Sequence, residues 1–319
     1  MNVLSLFDGM SCGRIALERL GVKVDNYYAS EIDKYAIKVS QANYPDIIQV
    51  GDICNLKPED FKDIYLILAG SPCQGFSFAG KQLAFDDPRS ALFFEFIRLL
   101  KAIKPKYFLL ENVRMKKEFL DVISKYMGVT PIFINSALVS AQSRQRYYWT
   151  NIPSIQQPAD RGIVLRDILE TEPDNYTLMS DKFVNRQMKN KKDKCLIYES
   201  KPKASNLSAM EYVKNGRQGN YLACDDNGKP TNKPIQIGVA TDINGHSWRK
   251  LTPLECERLQ TVPDNYTNHV SNSQRYKMLG NGWTVDVIAH ILKNMKIILD
   301  GGKVKPAKPN GQQILNFDG

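Results

Sequence analysis

Along the first 150 positions, short β-rich apolar runs alternate with longer segments whose apolar residues recur every three or four positions. The runs predict strands at 3–7, 24–29, 47–50, 65–69, 107–110, 132–136 and 146–150. The longer segments predict helices at 13–20, 33–42, 92–101 and 117–127. Strands that alternate with helices in this way give an α/β fold, a mainly parallel, doubly wound sheet covered on both faces. Ligands of such sheets sit beyond the carboxyl ends of the strands, so the loops after those runs are where chemistry is expected.

After position 150 the alternation stops. Residues 151–248 carry six scattered prolines, short strands and many polar positions, and read as a smaller, loop-rich insert. Helical periodicity returns at "LTPLECERLQ", where Thr252 as N-cap, Pro253 at the first helical position and Glu255 two further on spell a capping box. A long amphipathic helix at 284–299 is expected to pack back on the first domain. The predicted division is 1–150 plus 281–300 for a large, discontinuous domain and 151–280 for the insert and its connecting motif. The Gly-, Pro- and Lys-rich stretch 301–319 is expected to be a flexible tail.

Composition narrows the class. No apolar run approaches the ~20 residues that span a bilayer, and the opening "MNVLSLF" lacks the basic and then apolar regions of a secretory leader, so a cytoplasmic protein is expected. Six cysteines without a CxxC pair, and three histidines, set aside a zinc site or a disulfide framework. The net charge of +9 is uneven: residues 181–233 hold twelve basic and six acidic side chains, an excess of +6. That excess suits either a solvated surface or a polyanion partner.

Several loops carry candidate chemistry. "LFDGMSCG" (6–13) turns the first strand into the first helix through a glycine, which lets a ligand approach bare backbone. Glu31 closes the second strand where a carboxylate can bind both hydroxyls of a ribose, and Asp52 follows the third strand, within reach of an adenine amino group. An adenosine-bearing cofactor is favoured; no GxxxxGK[ST] phosphate loop is present. In "LAGSPCQGFSF" (68–78) an apolar strand delivers Cys73 just past its carboxyl end, where a thiol is either a packing residue or a nucleophile.

The ordered set "GSPCQ" (70–74), "ENV" (111–113), "QSRQR" (142–146), "RKLTPLE" (249–255) and "GNGWTV" (280–285) resembles the DNA (cytosine-5) methyltransferases. The likeness runs the length of the chain except for the insert and the tail. It is nearest to phage and bacterial members and extends to the catalytic domain of the mammalian de novo enzymes. The resemblance implies a Rossmann-like, S-adenosylmethionine-dependent methyltransferase domain with a small target-recognition domain, here the insert. It implies cofactor contacts from Phe7, Asp8, Gly9, Glu31, Ile32, Asp52, Ile53, Gly70, Pro72, Leu92, Asn281 and Thr284. The Met10-Ser11-Cys12 loop and Trp283 depart from the commonest family text.

The resemblance also implies the reaction. Cys73 adds to C6 of a cytosine, which makes C5 nucleophilic; Glu111 hydrogen-bonds N3 and the 4-amino group; Arg146 holds O2, with Arg144 near the backbone or Cys73. Arg144 and Arg146 are expected to share a face of one strand. The implied partner is double-stranded DNA with the target base turned out of the stack, as in restriction–modification systems. The insert, with Tyr198, Tyr212 and Tyr221, would face the major groove. Two alternatives stand beside this reading: a tRNA cytosine-5 methyltransferase, and a non-catalytic DNA-binding homologue. The tail "QQILNF" fits the Gln-x-x-Leu-x-Phe pattern of peptides that bind the bacterial sliding clamp, through Gln312, Leu315 and Phe317; an apolar tail packed on its own domain is the alternative.

Overall fold

The computed structural model describes residues 1–72, 88–174, 176, 196–197, 202–207, 221–224, 229–230 and 247–304. Cys73, Tyr198, Tyr212 and the tail residues Gln312, Leu315 and Phe317 lie outside the described residues. The chain divides into two compact units, Met1–Asn135 with Gln145–Pro158 and Val285–Gly319, and Ser136–Arg144 with Ala159–Thr284. Relative to the division expected from sequence, residues 136–144 and 281–284 fall in the second unit and 151–158 in the first.

In the first unit the chain runs β1 (Asn2–Leu6), α1 (Cys12–Arg19), β2 (Asn26–Ser30), α2 (Lys34–Asn43), β3 (Ile48–Gln49), β4 (Ile64–Ala69), α3 (Pro88–Ile103), β5 (Tyr107–Val113), α4 (Lys117–Met127), β6 (Ile132–Asn135) and β7 (Gln145–Thr150). These strands form a seven-stranded sheet in the order β3-β2-β1-β4-β5-β7-β6. The first five in that order are parallel, and β7 enters antiparallel to both β5 and β6. The order reverses between β1 and β4. Beyond their carboxyl ends, at this switch point, lie the glycine loop and the start of the cysteine loop.

Strand alternation explains the two-sided burial. Leu4, Leu6, Ile64, Ile67, Ala69, Leu110 and Trp149 point to one face and form a core with Phe93, Phe96, Ile97 and Leu99 of α3 and Phe119, Ile123 and Met127 of α4. Their neighbours of opposite parity, Val3, Leu66, Leu68 and Leu109, are equally buried. Covered on both faces, the strands read as near-continuous apolar runs. The last helix, Val285–Leu299, completes this unit; it packs against α1, and Arg19 pairs with Asp286 across them.

The second unit holds a three-stranded sheet, β8 (Leu196–Ile197), β9 (Tyr221–Cys224) and β10 (Ser247–Lys250), with helices α5 (Pro253–Leu259) and α6 (Asn272–Asn281). The helix Val285–Leu299 is accordingly α7. The capping box stands as predicted: the Glu255 amide donates to Thr252 Oγ1 at 3.1 Å and the Thr252 amide to Glu255 Oε2 at 2.8 Å. Glu255 also holds Arg249 through two bonds of 2.7 Å, in full burial. Tyr221, expected at a DNA-facing surface, is instead 2% exposed, a core residue of its strand. Among the described residues no helix is long and apolar enough to cross a membrane.

Candidate active site

The loop after β1 is built from left-handed backbone at alternate positions: Phe7, Gly9 and Ser11 have φ of 57°, 58° and 63°. Two of the three are not glycines, so the conformation is strained and needs support. A methyl group added at Gly9 would meet no atom within 4 Å, so its backbone faces open space. The Gly9 amide donates to Glu31 Oε2 at 2.7 Å, and Glu31 Oε1 accepts from the amides of Ile32 and Asp33 at 2.8 Å each. The carboxylate at the end of β2 is thereby fixed beside the glycine. Ile32, next to it, is 74% exposed, an apolar surface that water solvates poorly.

Asp52 follows β3 and caps a short 3₁₀ turn, Ile53–Asn55, accepting from the Cys54 amide at 3.0 Å. Ile53 is buried in the core, and Arg98 of α3 ties down this turn by donating to the carbonyls of Ile53 and Leu56. Leu92, on the same helix, and Phe7 are half-buried against the core. The donor set suits an adenosine-bearing cofactor: a carboxylate placed for a ribose diol, another for an exocyclic amine, an exposed apolar side chain and bare backbone. Asp8 departs from ordinary behaviour. Burial pushes its carboxyl up to about 6, against hydrogen bonds from Ser11, Ser5 and Tyr27 that pull it down and a smaller upward push from Glu31.

Next along the sheet, β4 ends and the chain passes through Gly70, Ser71 and Pro72 toward Cys73. Parallel pairing sets Ala69 opposite Leu110, which brings Ser71 alongside Asn112. Asn112 Nδ2 donates to Ser71 Oγ at 3.1 Å and, more weakly, to its carbonyl at 3.4 Å, while Asn112 Oδ1 accepts from the Val113 amide. The start of the cysteine loop is thus pinned two residues before the thiol. On the other face of β5, Glu111 meets Arg146 of β7. The register pairs Glu111 with Tyr148 and Val113 with Arg146, so the two charged groups are diagonal neighbours. Arg146 Nε lies 2.8 Å from Glu111 Oε1, and each side chain is 11% exposed.

Arg144 does not join them. It precedes β7 and belongs to the second unit, where the residue is 2% exposed. Nη1 donates to Asn206 Oδ1 at 2.8 Å and Leu207 O at 3.0 Å; Nη2 donates to Gly280 O at 3.1 Å and Gly282 O at 2.8 Å. The expected shared face fails because the strand begins at Gln145, one residue too late. Asn281 is exposed at the end of α6. Thr284 is buried, accepting from Ser136 Oγ and donating to Gln260 Oε1, both at 2.9 Å.

Sequence reasoning missed the supporting residues. Asn112 stood inside "ENV", and its amide was the available signal. Gln260, whose buried amide bonds Gln142, Leu279 and Thr284, and Tyr27, which reaches Asp8, carried none, because their partners are distant in sequence.

Comparison with known proteins adds to this geometry. The chain matches the C-5 cytosine-specific DNA methylase family over residues 1–127 and 132–297. It is 32% identical to the type II methyltransferase M1.ScrFI of Lactococcus lactis subsp. cremoris, over 95% of this chain and 79% of that protein. It is 33% identical to M.NgoBI of Neisseria gonorrhoeae, over 90% of each. Its fold is similar to that of the S. pombe Dnmt2 methyltransferase, with a TM-score of 0.75 at 20% identity, over 94% of this chain and 99% of the other. With a mainly parallel sheet whose strands and loops carry these groups, and a family match over nearly all of its length, the chain belongs to the C-5 cytosine-specific DNA methylases.

Proposed function

We propose that the protein is a DNA (cytosine-5) methyltransferase that methylates C5 of a cytosine turned out of a specific duplex sequence. The observation that carries this reading is the Glu111–Arg146 pair. A carboxyl group and a guanidinium 2.8 Å apart can grip neighbouring atoms of one ring edge, N3 with the 4-amino group and O2. Cys73 Sγ attacks C6, and electron density moves toward N3, where Glu111 supplies a proton, and O2, where Arg146 donates. C5 thereby becomes nucleophilic. When bound, S-adenosylmethionine supplies the electrophilic methyl group. Loss of the C5 proton to solvent then expels the thiolate, and return of the N3 proton to Glu111 restores the neutral ring.

Glu31, Asp52, Ile32 and the Phe7–Gly9 backbone would hold the cofactor, with Ile53, Gly70, Pro72 and Leu92 around them. Asn112 keeps the cysteine loop in register with Glu111. The target carbon is inaccessible in stacked DNA, so the base must leave the helix at a cost of a few kcal/mol. The basic excess in residues 181–233 supplies phosphate contacts that offset it.

Incubation with labelled cofactor and either duplex DNA or total tRNA tests the reading. Label on DNA is expected, together with a covalent adduct on 5-fluorocytosine DNA that Cys73→Ser abolishes. Label on tRNA alone selects the RNA-modifying alternative, and binding of cofactor and DNA without any adduct selects the non-catalytic one. For the tail we propose, from its residue pattern alone, that Gln312, Leu315 and Phe317 anchor a bacterial sliding clamp. Removal of residues 312–319 should then end clamp pull-down and leave methylation of a short oligonucleotide unchanged; pull-down that persists refutes it.

A further inference from the structure

Beneath the glycine loop lies a buried chain of hydroxyl groups that the reaction itself does not use. Tyr27 OH donates to Asp8 Oδ1 at 2.7 Å. Ser11 Oγ donates to Asp8 Oδ2, and Ser11 Oγ and Ser40 Oγ are 2.5 Å apart. Asp8, Ser11, Tyr27 and Ser40 are all buried. Asp8 lies in the loop, Ser11 is the N-cap residue before α1, and Tyr27 is on β2; the last two bond the carboxylate, and Ser40 of α2 joins them through Ser11.

The position of this cluster matters because of what it holds. Asp8 is flanked by the left-handed residues Phe7 and Gly9, and its backbone amide donates to Ser30 O at 3.1 Å. One peptide further on, the Gly9 amide holds Glu31. Any shift of the Asp8 side chain moves the peptide that fixes the ribose carboxylate. Local propensity does not favour the loop conformation, since left-handed backbone at Phe7 and Ser11 is strained. The side-chain bonds to Asp8 oppose that strain.

We propose that Tyr27, Ser11 and Ser40 are positioning residues that hold the Phe7–Ser11 loop in its cofactor-accepting shape, and that ionised Asp8 is the acceptor on which this hold depends. This rests on the reading that the loop binds S-adenosylmethionine. An ionised carboxylate accepts from both Tyr27 and Ser11. A protonated one turns an oxygen into a donor, and one hydroxyl must turn away or lose its partner. The groups facing Asp8 are Ser5 on β1, Tyr27 on β2, Glu31 at the end of β2 and Ser11 at the start of α1, with Ser40 of α2 behind Ser11. Burial above all, and to a smaller extent the like charge of Glu31, favour the protonated form, and the three hydroxyls oppose it.

Calorimetric titration of the full chain with S-adenosylmethionine, without DNA, between pH 5 and 8 tests the proposal. Wild-type affinity should fall as the pH drops through about 6. Tyr27→Phe keeps the ring and removes one donor. It should bind roughly tenfold more weakly at pH 7 and lose affinity at a higher pH than wild type, because the lost bond is one that favours the carboxylate. Ser40→Ala should move the curve the same way by less. Asp8→Asn should bind weakly with no pH dependence over this range. A Tyr27→Phe curve that superimposes on the wild-type curve, or a flat wild-type curve, overturns the proposal while leaving the cofactor assignment intact. A wild-type protein that binds no S-adenosylmethionine at any pH overturns the cofactor assignment as well.

Discussion

Arg144 offers the sharpest separation of structural from chemical roles, because its motif position suggests chemistry and its surroundings are structural. Replacing it with methionine keeps much of the apolar stem and deletes the donors to Asn206, Leu207, Gly280 and Gly282. The four acceptors are not equal. Asn206 is at the partly buried edge, and Gly282 O retains the Gln260 amide at 3.2 Å. The carbonyls of Leu207 and Gly280 are buried and lose this charged donor. At about 1–3 kcal/mol for each buried carbonyl deprived of a partner, the loss is about 4 kcal/mol. For a unit of this size that corresponds to a fall in melting temperature of about 10 °C. The assay is thermal unfolding followed by circular dichroism, with methyl transfer measured well below the transition. An Arg144→Met protein that melts within about 2 °C of wild type would show that the clamp contributes nothing, and the assignment to structure would be wrong.

Two further outcomes follow from the first unit. Arg146→Met should slow methyl transfer by about 10²–10³-fold when assayed below its melting transition, the usual cost of removing one donor to developing charge; a rate within threefold of wild type refutes its role. Asp8 should make stability pH-dependent with a defined sign. Its folded pKa, about 6, lies above the ordinary 3.8, so its contribution is fully present below about pH 4 and is lost as the pH rises through 6. The gap of about two units amounts to about 3 kcal/mol. The stability of Asp8→Asn relative to wild type should therefore rise by that amount between pH 4 and pH 7 in urea unfolding. A constant difference refutes the buried-carboxylate account.

The hydrophobic pattern by itself determined the strands and helices of the first unit, because period-2 and period-3.6 burial leaves its mark on every residue of an element. It also determined the capping box at Thr252–Glu255, whose partners are three residues apart. Motif order singled out Glu31, Asp52 and Glu111, which stand at or near the carboxyl ends of strands, where a parallel sheet gathers its loops. Only the tertiary structure decided which charged groups meet. Arg144 and Arg146 are two residues apart, yet one begins in a buried cage of carbonyls and the other faces Glu111. Their division depends on where β7 starts, and that is set by its pairing with two strands, Gln145 with Asn135 of β6 and Arg146 with Val113 of β5, the latter more than thirty residues away. Tyr27 and Ser40 likewise acquire their meaning only when β2 brings one to Asp8 and α2 brings the other to Ser11. Burial is periodic and therefore legible along the chain; the partner of a polar atom is a fact of three-dimensional packing.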